Sequence, residues 1–228
     1  MGEAAAADAT FAFVDLSGFT ALTEMCGDEE AALLAGRLVD LARDSLTVHV
    51  SLVKSMGDAV MLRAPGPEQM MATIVALADR AAAEDGFLVL RVGIHHGSAV
   101  ERDNDFFGHA VNTAARVTAL AGAGQAIVTD PILPACEGLG LAVRSLGATA
   151  LRNIASPMAV YRVSLPPPRY PVDPVCGVRI DPRTTSHHVR HDDQDIWFCS
   201  GRCAERFLAI NEGKQPEGGR TRRANYDD

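Results

Sequence analysis

The sequence predicts an α+β fold in which a ferredoxin-like sheet is followed by a second, much smaller unit. Three observations predict it. Apolar runs of strand length alternate with segments of helical period in the order β-α-β-β-α-β. A proline-rich stretch at 164–171 then interrupts this pattern, and three of the five cysteines lie beyond it. A chain of 228 residues has room for one large domain and a small one.

The first strand and helix frame a carboxylate. Residues 10–16 read TFAFVDL, an apolar and β-branched run that carries Asp15 near its end and meets a Ser-Gly turn. Residues 20–45 have a helical period, with Leu34 and Leu38 at i and i+4 and three acidic residues at 28–30 suited to a helix N-terminus. An ionisable group at the end of an apolar strand is a candidate site residue.

The remaining elements follow in order. Residues 48–54 and 59–62 predict a hairpin with Asp58 at its tip, and an alanine-rich helix is expected at about 68–84. A strand at 87–97, an acidic loop at 101–105 and a helix at 108–120 come next. Runs at 126–129, 142–146 and 159–163 would extend the sheet. The order fits a ferredoxin-like sheet with helices on one face.

Two pairs of residues carry recognisable chemistry. Asp15 and Asp58 end elements that would be neighbours in such a sheet, and two carboxylates together with phosphates are the usual way to hold Mg²⁺. Asn112 and Arg116 are four residues apart on one helix face. An amide and a guanidinium so placed suit a phosphoryl group that develops charge.

Four segments resemble the class III adenylate/guanylate cyclase catalytic domain. They are FVDLSGFTALTE at 13–24, VKSMGDAVML at 53–62, RVGIHHGSAVERDNDFFGHAVNTAARV at 91–117 and LRNIASPMAVYRV at 151–163. The segments have the order and spacing of that family, and the resemblance covers residues 8–163. It implies conversion of ATP to 3′,5′-cyclic AMP and pyrophosphate, by attack of the ribose 3′-hydroxyl on the α-phosphate.

The resemblance also implies a role for each matched residue. Asp15 and Asp58 would hold two Mg²⁺ or Mn²⁺ ions. Asn112 would position the ribose, and Arg116 would stabilise the transition state. Arg152 lies near the position of a basic residue that binds the terminal phosphates in the family.

Lys54 and Asp105 match the pair that reads the base in this family. Adenine presents a ring-nitrogen acceptor beside an amino donor, so it needs one donor and one acceptor from the protein, which lysine and aspartate provide. Guanylate-type members carry glutamate where Lys54 stands, and ATP is therefore the expected substrate. Lys54 is the one lysine before the linker. Asn104 stands where many members have glycine, which could alter the loop that presents Asp105.

The family's active sites form between two protomers. The resemblance implies a homodimer whose sites combine the two aspartates of one chain with Lys54, Asp105, Asn112 and Arg116 of the other. Two alternatives stay open. The chain could be a guanylate or relaxed-specificity cyclase, or it could be a catalytically idle module that binds nucleotide or senses a metal.

The C-terminal part resembles the YHS domain, a small treble-clef-like metal-binding module. The match covers residues 172–212 and depends on DPVCGVRID at 173–181 and on IWFCSGRCAERF at 196–207. Cys176, Cys199 and Cys203 would supply thiolates to Zn²⁺ or another soft cation. The candidates for a fourth ligand are His187, His188 and His191. Residues 213–228 are expected to be disordered.

Charge and hydropathy exclude other classes of function. The net charge of −8 argues against a nucleic-acid binder, which usually carries a basic stripe. No apolar run is long enough to cross a membrane, and no signal peptide is evident, so we expect a cytoplasmic protein. His95 and His96 follow a strand, and at least one is expected to pack in or beside the sheet rather than to hold a metal.

Overall fold

The computed structural model describes residues 6–211. An eight-stranded sheet has the order β2-β3-β1-β4-β6-β8-β7, and the short β5 pairs with β4. Its strands are β1 (Ala6–Leu16), β2 (Ser51–Met56), β3 (Ala59–Ala64), β4 (Leu90–Arg102), β5 (Asp105–Phe107), β6 (Gln125–Thr129), β7 (Val143–Thr149) and β8 (Met158–Ser164). The helices of this part are α1 (Phe19–Cys26), α2 (Asp28–Ser45), α3 (Pro67–Ala83), α4 (His109–Thr118) and α5 (Leu133–Gly138).

The first four strands form the predicted ferredoxin-like unit. Their order is β2-β3-β1-β4, and β1 runs antiparallel to both of its neighbours. Helices α2 and α3 cover one face, where Leu34 and Ile74 share a buried core with Val14. The alternation of β1 places Val14 on this face and Phe11 on the other, which makes β1 the centre of two apolar layers. The fold class is confirmed for this part of the chain.

The predicted helix at 20–45 is two helices. Gly27 separates them with φ 93°, a left-handed value that glycine adopts without strain. Its amide donates to the Thr23 carbonyl over 2.9 Å and ends α1. The acidic residues at 28–30 then form the first turn of α2, where they complement the helix dipole.

Helix α4 lies on the opposite face of the sheet from α2 and α3. Ala110 and Ala114 pack against Phe11 there, so the expectation of helices on one face holds for the ferredoxin-like unit and is wrong for α4. Helix α4 packs very closely against β4. A Cβ atom on Gly93 would lie 2.2 Å from the backbone nitrogen of Thr118, and only glycine fits at this position.

The expected acidic loop at 101–105 is the end of a hairpin. Strand β4 continues to Arg102, and Asp105 is already the first residue of β5. Asp103 and Asn104 form the turn, with φ 53° and 60°. Positive φ at both central residues is what a tight two-residue hairpin requires, and asparagine tolerates it better than most residues. Asn104 thus adopts a conformation that glycine favours.

The C-terminal module contains β9 (His188–His191), β10 (Gln194–Trp197) and α6 (Gly201–Asn211), preceded by a turn around Cys176. The linker lies along the first domain, where the Arg169 amide donates to the Ala82 carbonyl. Val178 and Phe198 of the module belong to the same buried cluster as Leu22 and Leu88 of the first domain. The two parts therefore share one core. The segment expected to be disordered, 213–228, lies outside the described residues.

Arg179 fastens the module to the sheet. It is 2% exposed, and its guanidinium donates to the carbonyl oxygens of Phe87 and Leu88 over 3.2 and 3.0 Å. The guanidinium carbon also lies 5.6 Å from the centre of the Phe87 ring. Burial lowers the pKa of Arg179 to about 10, which leaves it charged at neutral pH.

Candidate active site

Asp15 and Asp58 lie side by side at one end of the sheet. In the β1–β3 pairing Asp15 is opposite Ala59, and the Leu16 amide donates to the Asp58 carbonyl over 3.2 Å. Gly57, with φ 60°, makes the tight β2–β3 turn that brings Asp58 to this level. The two side chains are close enough for Asp58 to raise the pKa of Asp15. The predicted pairing of these carboxylates is therefore present within one chain.

Arg91 holds one side of the Asp15 carboxylate. Its Nε and Nη2 atoms lie 2.8 and 2.5 Å from Oδ2 of Asp15. Burial is the largest influence on the pKa of Asp15 and raises it, whereas Arg91 lowers it and Asp58 raises it further. Oδ1 of Asp15 is buried and has no hydrogen-bond partner among the described residues. A buried acceptor beside a second carboxylate fits a divalent cation.

The sequence analysis missed Arg91. The β1–β4 register of the structure places Arg91 directly opposite Asp15. In an antiparallel pair, side chains at opposed positions are near neighbours on one face. The predicted strands at 10–16 and 87–97 would place Asp15 opposite residue 88 or 92 when their ends are aligned, so the observed register was needed to identify the pair.

Lys54 and Asp105 meet across the sheet. The Nζ atom of Lys54 lies 2.5 Å from Oδ2 of Asp105, and the Phe106 amide donates to Oδ1 over 2.8 Å. These contacts, the hydrogen bond from Lys54 first, lower the pKa of Asp105. Both side chains are about one-third exposed and accessible to a ligand.

A β-bulge determines the direction of Lys54. The β2–β3 register shifts between Leu52 and Lys54, so that Leu52 pairs with Leu62 and Lys54 pairs with Met61. Leu62 belongs to the core under α2 and α3, and Met61 to the core under α4. The extra residue therefore turns Lys54 onto the α4 face, where β5 presents Asp105.

Asn112, Arg116 and Arg152 are exposed. Asn112 and Arg116 lie one turn apart on α4, and Arg152 follows β7 in a turn. Among the hydrogen bonds and ion pairs of residues 6–211, none connects these three side chains to Asp15 or Asp58. One chain thus assembles the carboxylate pair and the Lys54–Asp105 pair, and it leaves the helix pair facing outward.

His95 and His96 form hydrogen bonds with residues of neighbouring strands. His95 is 8% exposed, and its Nδ1 lies 2.8 Å from the Thr129 hydroxyl. Burial lowers its pKa to about 4, and so it is neutral at pH 7. The Nδ1 of His96 lies 2.9 Å from the Thr10 hydroxyl. The expectation that at least one of these residues packs in or beside the sheet is confirmed.

The three C-terminal cysteines form a cluster. The Sγ atom of Cys199 lies 3.4 Å from that of Cys176 and 3.6 Å from that of Cys203. A tetrahedral cation with metal–sulfur bonds of about 2.3 Å separates its thiolates by about 3.8 Å, so the spacing fits such a site. Together with a carboxylate oxygen of Asp173, the three sulfur atoms lie within 4.8 Å of one another.

The histidines proposed as a fourth ligand are not in this group. His188 stacks on Trp197, and His191 meets the ring of Phe207 edge-on. Asp173 lies there instead, fully buried, and accepts hydrogen bonds from the amides of Val175 and Cys199 over 2.8 and 2.9 Å. The sequence analysis missed it because a lone aspartate before a Pro-Val-Cys turn is an ordinary turn residue.

Comparisons with known proteins identify the family of the first domain. The model of the adenylate and guanylate cyclase catalytic domain matches residues 3–164. A pH-sensitive adenylate cyclase of Mycobacterium tuberculosis is 40% identical over 158 residues, which are 68% of this chain and 40% of that protein. An adenylate cyclase of Streptomyces griseus is 34% identical over 110 residues, 48% of this chain and 28% of that protein. The chain therefore matches less than half the length of these relatives.

Solved structures share the fold. An adenylate cyclase from Trypanosoma brucei in its monomeric state superposes with a TM-score of 0.63 at 20% identity, over 76% of this chain and 93% of that one. The adenylyl cyclase CyaB from P. aeruginosa gives a TM-score of 0.59 at 21% identity, over 71% and 96%. The family match ends at residue 164, so the YHS resemblance of the C-terminal module stays a prediction. Because the match covers well over half of the sequence, the chain belongs to the family of adenylate and guanylate cyclase catalytic domains.

Proposed function

We propose that this chain is an adenylate cyclase, which converts ATP to 3′,5′-cyclic AMP and pyrophosphate. The Lys54–Asp105 pair is the observation that favours ATP over GTP as the substrate. It offers one donor and one acceptor side by side, the pattern that matches the ring nitrogen and amino group of adenine. Guanine would need the donor and acceptor exchanged.

The carboxylate pair supports a two-metal reaction. Asp15 and Asp58 would hold two Mg²⁺ or Mn²⁺ ions, and the unpartnered Oδ1 of Asp15 is a free ligand atom for one of them. When bound, such ions neutralise phosphate charge and lower the pKa of the 3′-hydroxyl. Arg91 lowers the pKa of Asp15 against the effect of burial, which favours the ionised form that a cation needs, and it holds the carboxylate in one orientation. We assign it the role of a positioning residue.

Asn112, Arg116 and Arg152 would complete the site from a second copy of the chain. In this proposal Asn112 orients the ribose, Arg116 stabilises the α-phosphate as its bond to pyrophosphate breaks, and Arg152 contacts the terminal phosphates. The support is that all three side chains are exposed and that, within one chain, none of them has a hydrogen bond or ion pair with Asp15 or Asp58 among the described residues. The C-terminal module packs against α1 and the start of β4, so it leaves the exposed face of α4 open to a partner.

We propose further that Cys176, Cys199 and Cys203 hold Zn²⁺ or another soft cation. The sulfur spacing supports this, since three thiols at 3.4–3.6 Å resemble the ligand set of a tetrahedral site.

All five cysteines are free, and no helix among residues 6–211 is long and apolar enough to span a membrane. Reduced thiols fit the cytoplasmic location that we propose for the reaction.

The test is a product assay on the pure full chain. With Mn²⁺ or Mg²⁺ and equal ATP and GTP, we expect cyclic AMP to dominate, measured by chromatography and mass spectrometry. Asp58→Ala should abolish the product, and Asp44→Ala on the exposed surface of α2 should not. Dominant cyclic GMP would favour the guanylate alternative, and binding of nucleotide without either product would favour an idle module.

A further inference from the structure

Cys26 lies at the boundary between the two parts of the protein. It is the last residue of α1, the helix that begins just after the Asp15 turn. It is half-buried, packs against the same core as Cys199, and lines one cleft with it. A cysteine of the first domain thus adjoins a cluster that otherwise belongs entirely to the C-terminal module.

The contacts around Cys26 hold the two parts together at this point. Arg202 of α6 donates to the carbonyl oxygen of Met25 over 3.1 Å. On the other side, the carbonyl oxygen of Cys176 would lie 3.8 Å from a Cβ atom on Gly18, in the turn after Asp15. A cleft of about 530 Å³, with Cys26, Cys199 and Ser200 in its wall, gives access to the thiols.

We propose that Cys26 is the fourth thiolate of the cluster, so that one soft cation binds Cys26, Cys176, Cys199 and Cys203 and bridges the catalytic domain and the C-terminal module. Structural zinc sites are almost always four-coordinate, and four cysteines are a common ligand set. The inference rests on the proposed three-cysteine site and adds the residue that makes it an interdomain site.

Asp173 is the competing fourth ligand, and its hydrogen bonds argue against it. Oδ1 accepts from the amides of Val175 and Cys176 over 2.8 and 3.4 Å, and Oδ2 accepts from the Cys199 amide over 2.9 Å. Any rotation that brings a carboxylate oxygen to bonding distance of a cation would weaken these hydrogen bonds to buried amides, which costs free energy. Asp173 instead shapes the two turns that carry Cys176 and Cys199, as a positioning residue.

The bridge has a structural consequence for the active site. The cation would fix the C-terminal end of α1 to the module, while the Ser17–Gly18 turn at the other end of α1 already contacts the Cys176–Gly177 turn. Both ends of the element that follows Asp15 would then be attached to the module. Since the cation binds only the folded arrangement, it should also stabilise the full chain.

The experiment titrates the reduced, full-length protein with Co²⁺ under anaerobic conditions. Four thiolates give stronger sulfur-to-cobalt charge-transfer absorption than three. We expect wild-type protein and Cys136→Ser, a buried cysteine of α5, to give the four-thiolate spectrum. Cys26→Ser should lose about a quarter of the charge-transfer intensity and bind at least about 10-fold more weakly, since even outer contacts to a metal are worth that much.

A second measurement does not depend on the variant folding. In wild-type protein, Zn²⁺ should protect Cys26 from alkylation together with the three module cysteines, as mapped by mass spectrometry. Metal binding with a three-thiolate spectrum, Cys26 still alkylated and Cys26→Ser unchanged would overturn the role of Cys26 and leave the three-cysteine site standing. Absence of any Co²⁺ or Zn²⁺ binding, or a Cys26–Cys199 disulfide in anaerobically prepared protein, would overturn both.

Discussion

The Nε atom of Arg91 donates a hydrogen bond to Oδ2 of Asp15, and its Nη2 atom forms an ion pair with the same oxygen, while the other oxygen of Asp15 is buried without a partner among the described residues. The two oxygens of this carboxylate therefore have different roles. The Arg91 guanidinium fixes one oxygen, and in the proposed reaction the second oxygen would bind a divalent cation.

Arg91→Gln should therefore weaken metal use. Without the guanidinium, burial and Asp58 raise the pKa of Asp15 further. We expect about a 10-fold higher Mn²⁺ concentration for half-maximal activity, together with an acid limb of the pH–rate profile that moves to higher pH. Arg91→Lys should recover part of the loss. Arg43→Gln, on the exposed side of α2, is the control, and an equal effect there would remove the role of Arg91.

Lys54→Glu should shift the preference from ATP toward GTP. The change replaces the donor to the adenine ring nitrogen with an acceptor, and the kcat/KM ratio of ATP over GTP should fall about 10- to 100-fold. The change also puts two like charges together, so Lys54→Glu combined with Asp105→Lys is the matched variant. It keeps an ion pair in reversed order and should favour GTP. An unchanged ratio in both variants would contradict base reading by this pair.

His95 should make the protein sensitive to acid. Its pKa is lowered from 6.5 to about 4 in the folded state, so the unfolded chain takes up the proton first as pH falls. Stability is complete above about pH 6.5 and is lost progressively toward pH 4, by about 3 kcal/mol at most. Urea unfolding at several pH values should show a shallower loss for His95→Gln. The exposed His49, changed to Asn, should leave the slope as in wild type.

Arg179→Leu should loosen the C-terminal module. The substitution removes donors from two buried carbonyl oxygens and a stacking contact with Phe87, which should cost about 2–4 kcal/mol of unfolding free energy. Limited proteolysis should cut the 164–171 linker faster in this variant. Arg190→Leu, on the exposed hairpin, is the control, and its linker should be cleaved at the wild-type rate. Equal rates in all three proteins would mean that Arg179 does not hold the module.

The apolar core that the module shares with the first domain limits what a truncation can show. Truncation after residue 165 would expose Leu22 and Leu88, which share a core with Val178 and Phe198. A loss of activity on truncation would then report unfolding as readily as regulation. Point changes such as Cys26→Ser separate the two effects, because they leave the shared apolar core in place.

Much of the fold could be predicted because local patterns agree with it. The β-α-β-β-α-β order and the position of Asp58 on a hairpin follow from apolar alternation and a Gly-containing turn. The break at Gly27 was missed because the helical period continues across it, and one glycine in such a pattern is usually tolerated. The face chosen by α4 could not be read from its own sequence, since it depends on Gly93 in another element.

Some residues of the candidate site could likewise be predicted from the sequence, and others could not. Asp15 and Asp58 come together through neighbouring strands, which the sequence order predicts. The direction of Lys54 depends on a bulge between Leu52 and Lys54, and no turn residue marks it. Cys26 is distant in sequence from Cys176 and Cys199, and it is placed by packing against the core that the two parts of the chain share. Long-range packing of this kind has no local sequence signal.

Mixing two inactive variants tests the central claim most directly. Asp58→Ala removes a metal ligand from one half of the proposed site, and Arg116→Ala removes the transition-state cation from the other half. If active sites form between two copies, equal mixing should restore cyclic AMP formation to about a quarter of wild type, because half of the dimers carry one intact site. Native mass spectrometry must confirm that the chains have exchanged. No recovery in confirmed heterodimers would contradict a cyclase site shared between two chains.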